Sequence, residues 1–264
     1  MNNLFRNSIA IAALTVVAAG ANAAMLHNQN VTNNVIMGTG IINGGFTTAT
    51  DASTGVQVGL RARERYDLAT NQPTNVTGSN NNGTFNQNAG EPPGFPASNR
   101  ARWNFDWSIN TGTLPVSTSA YSYSLSIDFD AGVGTNFLTF DLINGVNPST
   151  ASVFWDHSFG NNATAQSQGA EAVDAAGYAG LKAASNLVQN SWNMDFFDGG
   201  LFAFDPNANG NYTFVLSLSG AQGVLASSEI TVIVGASAVP EPGSLALAGV
   251  ALAGLFGVSR RKRS

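Results

Sequence analysis

The sequence predicts a mostly antiparallel β-sandwich, of jelly-roll or immunoglobulin-like type, with one short helix. Three observations predict it. Arg102 to Asn110 and Tyr121 to Asp130 alternate apolar and polar residues, the period of a strand with one buried face. Tyr212 to Gly235 reads as two alternating strands turned at Gly220–Gly223. The stretch between residues 24 and 238 is long enough for a sizeable core in one domain. The chain has 264 residues and no cysteine, so this domain gains nothing from disulfides and must rely on packing or ions.

The elements follow in order. Ala24 to Asn34 is polar and Asn-rich, and is expected to be a mobile lead-in; from Val35 the text becomes strand-like. Val56, Val58, Leu60 and Ala62 alternate with Gln57, Gly59 and Arg61. If that strand continues, Arg61, Arg63 and Arg65 share its polar face. They read first as a solvated face paired with Glu64 or Asp67, and second as an anion or uronic-acid patch. Thr70 to Asn99 is a long Asn-, Gly- and Pro-rich loop, with a hairpin tip at Ser79–Thr84.

Trp103, Phe105, Trp107 and Ile109 then fall on one face of a strand. They read as the inner wall of the sandwich. Trp103 and Trp107 are also the candidates for sugar stacking, because flat rings serve that purpose in many binding modules. Further strands are expected at Asn136–Ile143 and Ser152–His157. His157 follows Asp156, but no second ligand or nucleophile stands at a useful spacing, so the sequence assigns it no catalytic role. Gln166 to Asn190 carries one short helix, which Asp174 can cap. Trp192, Met194 and Phe196 alternate, so a strand is expected to resume there. Asp205, Asn207 and Asn209 have the oxygen spacing of a calcium loop, but Leu216 stands where its closing carboxylate belongs. A turn explains them as well. No cofactor is expected, and calcium is kept as a secondary reading that would need Asp195 or Asp198 to complete the shell.

Both ends of the chain read as addresses. Residues 1–23 combine Arg6, an apolar run from Ile9 to Ala19 and the small-residue site Ala21-Asn22-Ala23, the pattern of a signal peptide cleaved before Ala24. Sec export and signal peptidase are the implied partners. Residues 239–264 begin with Pro240-Glu241-Pro242, which ends any strand. An uncharged run from Leu245 to Val258 follows, and Arg260, Arg261, Lys262 and Arg263 close the chain. Such a run is read as a short transmembrane helix with its basic end in the cytoplasm.

This tail resembles the PEP-CTERM sorting signal of Gram-negative bacteria, with all three parts in order at the C-terminus. The resemblance implies processing by an exosortase, a membrane-embedded cysteine transpeptidase, near Pro240-Glu241-Pro242. It also implies transient anchoring, then delivery to the cell surface or an exopolysaccharide matrix.

Between the two addresses, six cations face fifteen carboxylates, a net charge of −9. That balance argues against nucleic acid as a partner. The expected function is that of a non-enzymatic surface or matrix protein associated with exopolysaccharide or biofilm. The alternatives are a carbohydrate-binding or adhesive module, and a glycan-active enzyme using Asp128 with Asp130 or Asp195 with Asp198.

Overall fold

The computed structural model describes residues 23–67, 70, 74–94, 98–132, 134–199 and 202–235. Ala21, the apolar run before it and the whole sorting tail lie outside these residues. The strands are β1 (Met25–Gln29), β2 (Phe46–Thr50), β3 (Gln57–Glu64), β4 (Thr84–Gln87), β5 (Trp103–Asn110), β6 (Ser122–Asp128), β7 (Phe137–Phe140), β8 (Ser158–Gly160), β9 (Leu187–Trp192), β10 (Gly210–Gly220) and β11 (Gly223–Val234). One helix, α1 (Ala175–Ala184), precedes β9. Two sheets form, in the orders β1-β2-β3-β5-β9-β8 and β4-β11-β10-β6-β7. All neighbours are antiparallel except β4 and β11, which run parallel. The β-sandwich expected from the alternation is therefore present.

The inner faces follow the sequence pattern. Trp103, Phe105, Trp107 and Ile109 of β5 are buried against Phe214, Leu216 and Ile230 of the other sheet. Phe105 and Phe214 lie 4.6 Å apart, and Trp103 meets Phe214 edge-on at 6.2 Å. Rings at such spacings add about 0.5–1.5 kcal/mol each beyond the area they bury. The sugar-stacking reading of Trp103 and Trp107 is thereby corrected: both are sealed in the core, and neither reaches a surface.

The outer face of the six-stranded sheet departs from the sequence reading. It is polar, yet buried. Residues 31–45, expected to begin as a mobile lead-in and then become a strand, instead form an irregular strap across it. Val31, Val35, Met37, Ile41 and Phe46 make a second small core beneath the strap. Polar side chains of the sheet satisfy its backbone. Gln57 Oε1 accepts from Thr32 N at 2.6 Å. Gln189 Oε1 accepts from Ile36 N at 2.8 Å, while its Nε2 donates to Asn34 O at 2.9 Å. Gly59 sits under the strap: a Cβ there would meet Val31 Cγ1 at 2.8 Å. The lead-in residues also supply β1, an edge strand beside β2.

Within this layer Asp106 binds two arginines. Arg61 Nε and Arg63 Nε each donate to Asp106 Oδ2 at 2.8 Å, and all three residues are at most 2% exposed. The cross-strand register Arg61↔Asp106 makes this contact. Arg61 Nη1 also donates to Ile42 O (3.0 Å) and Gly44 O (2.5 Å), and its guanidinium stacks 4.3 Å over Phe46. Arg63 Nη1 donates to Thr74 O at 3.0 Å. Burial pushes the Asp106 carboxyl up, but the charges of Arg63 and Arg61 outweigh it and hold the group below its ordinary value. The reading of Arg61 and Arg63 as a solvated face, and equally as an open anion patch, is corrected: they are structural ions.

Three further expectations shift. Helix α1 keeps its predicted cap, with Asp174 Oδ1 accepting from Gly177 N at 2.7 Å. It stops at Ala184, however, and Leu187 and Val188 belong to β9 rather than to the helix. The strand expected from Trp192 onward has already run its course by then, and Met194–Phe197 is a 3-10 turn. The strand expected at 152–157 is irregular, and pairing begins only at Ser158. Within the long loop, the hairpin tip does form: Asn80 N donates to Thr84 O at 2.9 Å, and β4 starts at Thr84.

Asp106→Asn tests the ionic layer. It leaves two buried guanidiniums without a counter-charge, and should lower the unfolding free energy by about 3–5 kcal/mol in urea denaturation. A loss below about 1 kcal/mol would show that the strap is held by its backbone bonds alone.

Candidate functional site

A cleft of about 350 Å³ opens beside the strap, on the outer face of the six-stranded sheet. Its sides come from distant parts of the chain: Met37–Ile41 of the strap, Arg63, Arg65 and Tyr66 at and just past the end of β3, Arg100, Asp156 and Glu171, and Asn190–Phe196 around the end of β9. Asn104 and Ser191, on neighbouring strands, also line it.

Each side is fixed by a local bond. Asn193 staples the turn after β9 to the start of β5: its Nδ2 donates to Ala101 O (2.8 Å) and Trp103 O (3.0 Å), and its Oδ1 accepts from Ala101 N (2.9 Å). That staple presents Phe196, which is 40% exposed. Ser191 Oγ accepts from Arg63 Nη2 at 3.1 Å, so the buried ionic layer reaches the cleft through one hydroxyl. Arg65 Nε donates to Tyr66 Oη at 3.0 Å, with its guanidinium 5.3 Å from the Tyr66 ring. Arg100 Nε donates to Asp195 Oδ2 at 3.0 Å. Burial pushes the Asp195 carboxyl up, and the opposing pull of Arg100 leaves it raised. Ala172 N donates to Trp155 O at 3.2 Å, which sets Glu171 close to Asp156.

A second, smaller cleft of about 170 Å³ shares Phe196 and Asp156 with the first. The two adjoin at those residues. Trp155, next to Asp156, is 39% exposed, unlike the other three tryptophans.

The residues singled out from the sequence lie mostly elsewhere. Of the three arginines, Arg63 and Arg65 line the cleft, while Arg61 is buried under the strap. Asp205, Asn207 and Asn209 form a turn in which Asp205 Oδ1 accepts from Asn207 N at 2.9 Å. Asp198 is committed locally: its carboxylate accepts from Phe204 N and Asn99 Nδ2, both at 2.8 Å. Among the described residues no group of three His, Cys, Asp or Glu side chains is placed to hold a metal ion. Asp128 Oδ1 accepts from Asp130 N (3.0 Å) and Asn136 N (2.7 Å), and Asp130 Oδ1 from Gly132 N (2.8 Å), so this acid pair shapes the turn after β6. Ala23 and Ala24 stand directly before β1. Tyr66, Arg100 and Asn193 escaped the sequence reading, Phe196 entered it only as part of an expected strand, and no spacing in the chain brings the four together.

His157 is a core residue. It packs against Trp107, Phe154, Tyr178 and Trp192, with Phe154 stacked at 5.4 Å. Nε2 donates to Leu142 O at 2.7 Å, and Nδ1 accepts from Asn190 Nδ2 at 3.3 Å. Burial lowers its pKa to about 4, against the partial support of the Leu142 carbonyl, so the ring is neutral at pH 7.

Residues 238–262 match the PEP-CTERM protein-sorting motif. No curated protein and no solved structure matches the chain. Among the described residues no helix is long and apolar enough to cross a membrane, and the tail that carries the motif is not among them.

The neutral His157 predicts a pH dependence. The unfolded chain protonates this residue below about pH 6.5, whereas the fold resists until about pH 4. Its contribution is therefore complete above pH 6.5 and falls away as pH drops toward 4. Between pH 7 and pH 5 it should remove about 2 kcal/mol of stability. Denaturation of the native chain and of His157→Gln at both pH values checks this; equal losses in the two would sink it.

Proposed function

We propose that this chain, which ends in a PEP-CTERM sorting motif, is a non-enzymatic protein of the cell surface or extracellular matrix, held in or near an exopolysaccharide layer. The motif at residues 238–262 carries the reading. It marks an exported substrate of exosortase, anchored for a time by its C-terminal tail. The signal peptide over residues 1–23 and the final location are part of the proposal.

The fold supports a non-catalytic role in one respect. The two acid pairs that the sequence offers for glycan hydrolysis are spent on shape: Asp128 and Asp130 fold a turn, Asp195 pairs with Arg100, and Asp198 holds Phe204 and Asn99. The carbohydrate-binding reading draws on a separate observation, the polar cleft with Phe196 at its rim.

Intact mass and cell fractionation of the native protein test the proposal. The expected form starts at Ala24, ends near Pro240 and is recovered with the surface or matrix fraction. Replacing Pro240-Glu241-Pro242 by alanines should leave the tail uncut and the protein in the inner membrane. An intact tail on the native protein, with retention in the inner membrane, would replace the sorting reading with that of a single-pass membrane protein.

A further inference from the structure

We infer that the cleft beside Arg65 is a binding site for an acidic sugar, a uronic-acid unit of a polysaccharide, which Arg65 engages through its carboxylate. The inference rests on the matrix reading above for its choice of ligand source, and on the cleft itself for its chemistry.

Arg65 differs from the other described arginines. Arg61 and Arg63 share Asp106, Arg100 has Asp195, and Arg102 has Glu64. Among the described residues Arg65 has no carboxylate within ion-pairing distance. Its contacts are Tyr66 Oη and the Asn104 amide, which Nη1 approaches to 3.0 Å when the amide oxygen faces it. Both are neutral, so the guanidinium is held in place without a direct carboxylate partner; Asp195, already paired with Arg100, feels its charge only at longer range. A held guanidinium in a partly desolvated cleft favours a carboxylate, which it can bind by paired N–H donors.

The rest of the cleft suits a sugar ring. Phe196 offers an exposed apolar face. Asp156 and Glu171 supply acceptors for vicinal hydroxyls, and Ser191 and Asn190 supply neutral polar contacts. The volume lies at the small end of the range of about 300–1,000 Å³ for ligand pockets, enough for about one or two sugar units. The smaller cleft adjoins this one at Phe196 and Asp156, so a second unit of a polymer has a neighbouring depression beside the first. Asp156 and Glu171 would repel a carboxylate, which leaves Arg65 as the group that engages the acid. The region between the two addresses carries a net charge of −9, so attraction for a polyanion must be local.

Calorimetric titration of the protein isolated from its own cells tests this. The probes are hexamers of galacturonate, glucuronate and mannuronate, each as free acid and as methyl ester. At least one free acid should bind about tenfold or more tighter than its ester. Arg65→Gln should abolish that preference, while Phe196→Ala should weaken acid and ester alike. Thermal melting of both variants, expected to match the native chain, separates lost binding from lost fold. No binding by any hexamer, equal affinity for acid and ester, or an undiminished preference in Arg65→Gln would overturn the inference. If the protein is found in the matrix but binds none of these probes, the cleft assignment alone fails. If it binds them but stays in the inner membrane, the matrix reading alone fails.

Discussion

The structure depends on one carboxylate being enclosed between two guanidiniums. Asp106 has no access to solvent, and neither do Arg61 and Arg63 to any useful extent. Removing three ions from water is costly unless each retains partners. Here the partners are each other and the carbonyls of Ile42, Gly44 and Thr74. The ionic group therefore requires the strap, because the strap supplies carbonyls. The strap in turn requires the ionic group, because an irregular segment cannot satisfy its own backbone. Gln57 and Gln189 repeat the arrangement further along the sheet: Gln57 accepts from strap backbone, and Gln189 both accepts from it and donates to it.

This constraint makes the two sheets unlike. The sheet of β4, β11, β10, β6 and β7 has an apolar inner face and an outer face of serines and threonines, as an antiparallel sheet against water should. The six-stranded sheet is covered on both sides: β5 is buried at every position. The cleft lies where that cover stops. Ser191 and Asn104 belong to the same polar face as Asp106 but are reached from the cleft, and Arg65 lies one step along the strand face from Arg63, past the end of the ionic layer. A surface that must be polar to hold the strap is thus left polar where the strap ends.

The sorting tail follows the fold closely. Gly235 N donates to Gln87 O at 2.9 Å at the end of β11, and Pro240 stands five residues later. Even a fully extended chain spans at most about 18 Å over that interval. The sorting motif therefore begins within that reach of the last strand. The exit lies at the end of the sheet next to β4, whose parallel pairing with β11 fixes the last strand before the chain leaves.

By itself the sequence determined the strands with a two-residue period, the cap of the helix at Asp174, the closing hairpin and the tail. Each is written in adjacent residues, and each rests on local physics: pleat, capping geometry, turn chemistry, or proline and hydropathy. Tertiary structure decided everything about the second buried face. Arg61 and Arg63 read as solvated because alternation says only that a face is polar, and water is its usual neighbour. Whether a strap covers that face depends on contacts as distant in sequence as Ile36 with Gln189. The cleft was hidden for the same reason. Arg65 was visible as a charge, but Arg100, Asp156, Asn193 and Phe196 join it only through strand register and the Asn193 staple, and no spacing along the chain records such an encounter.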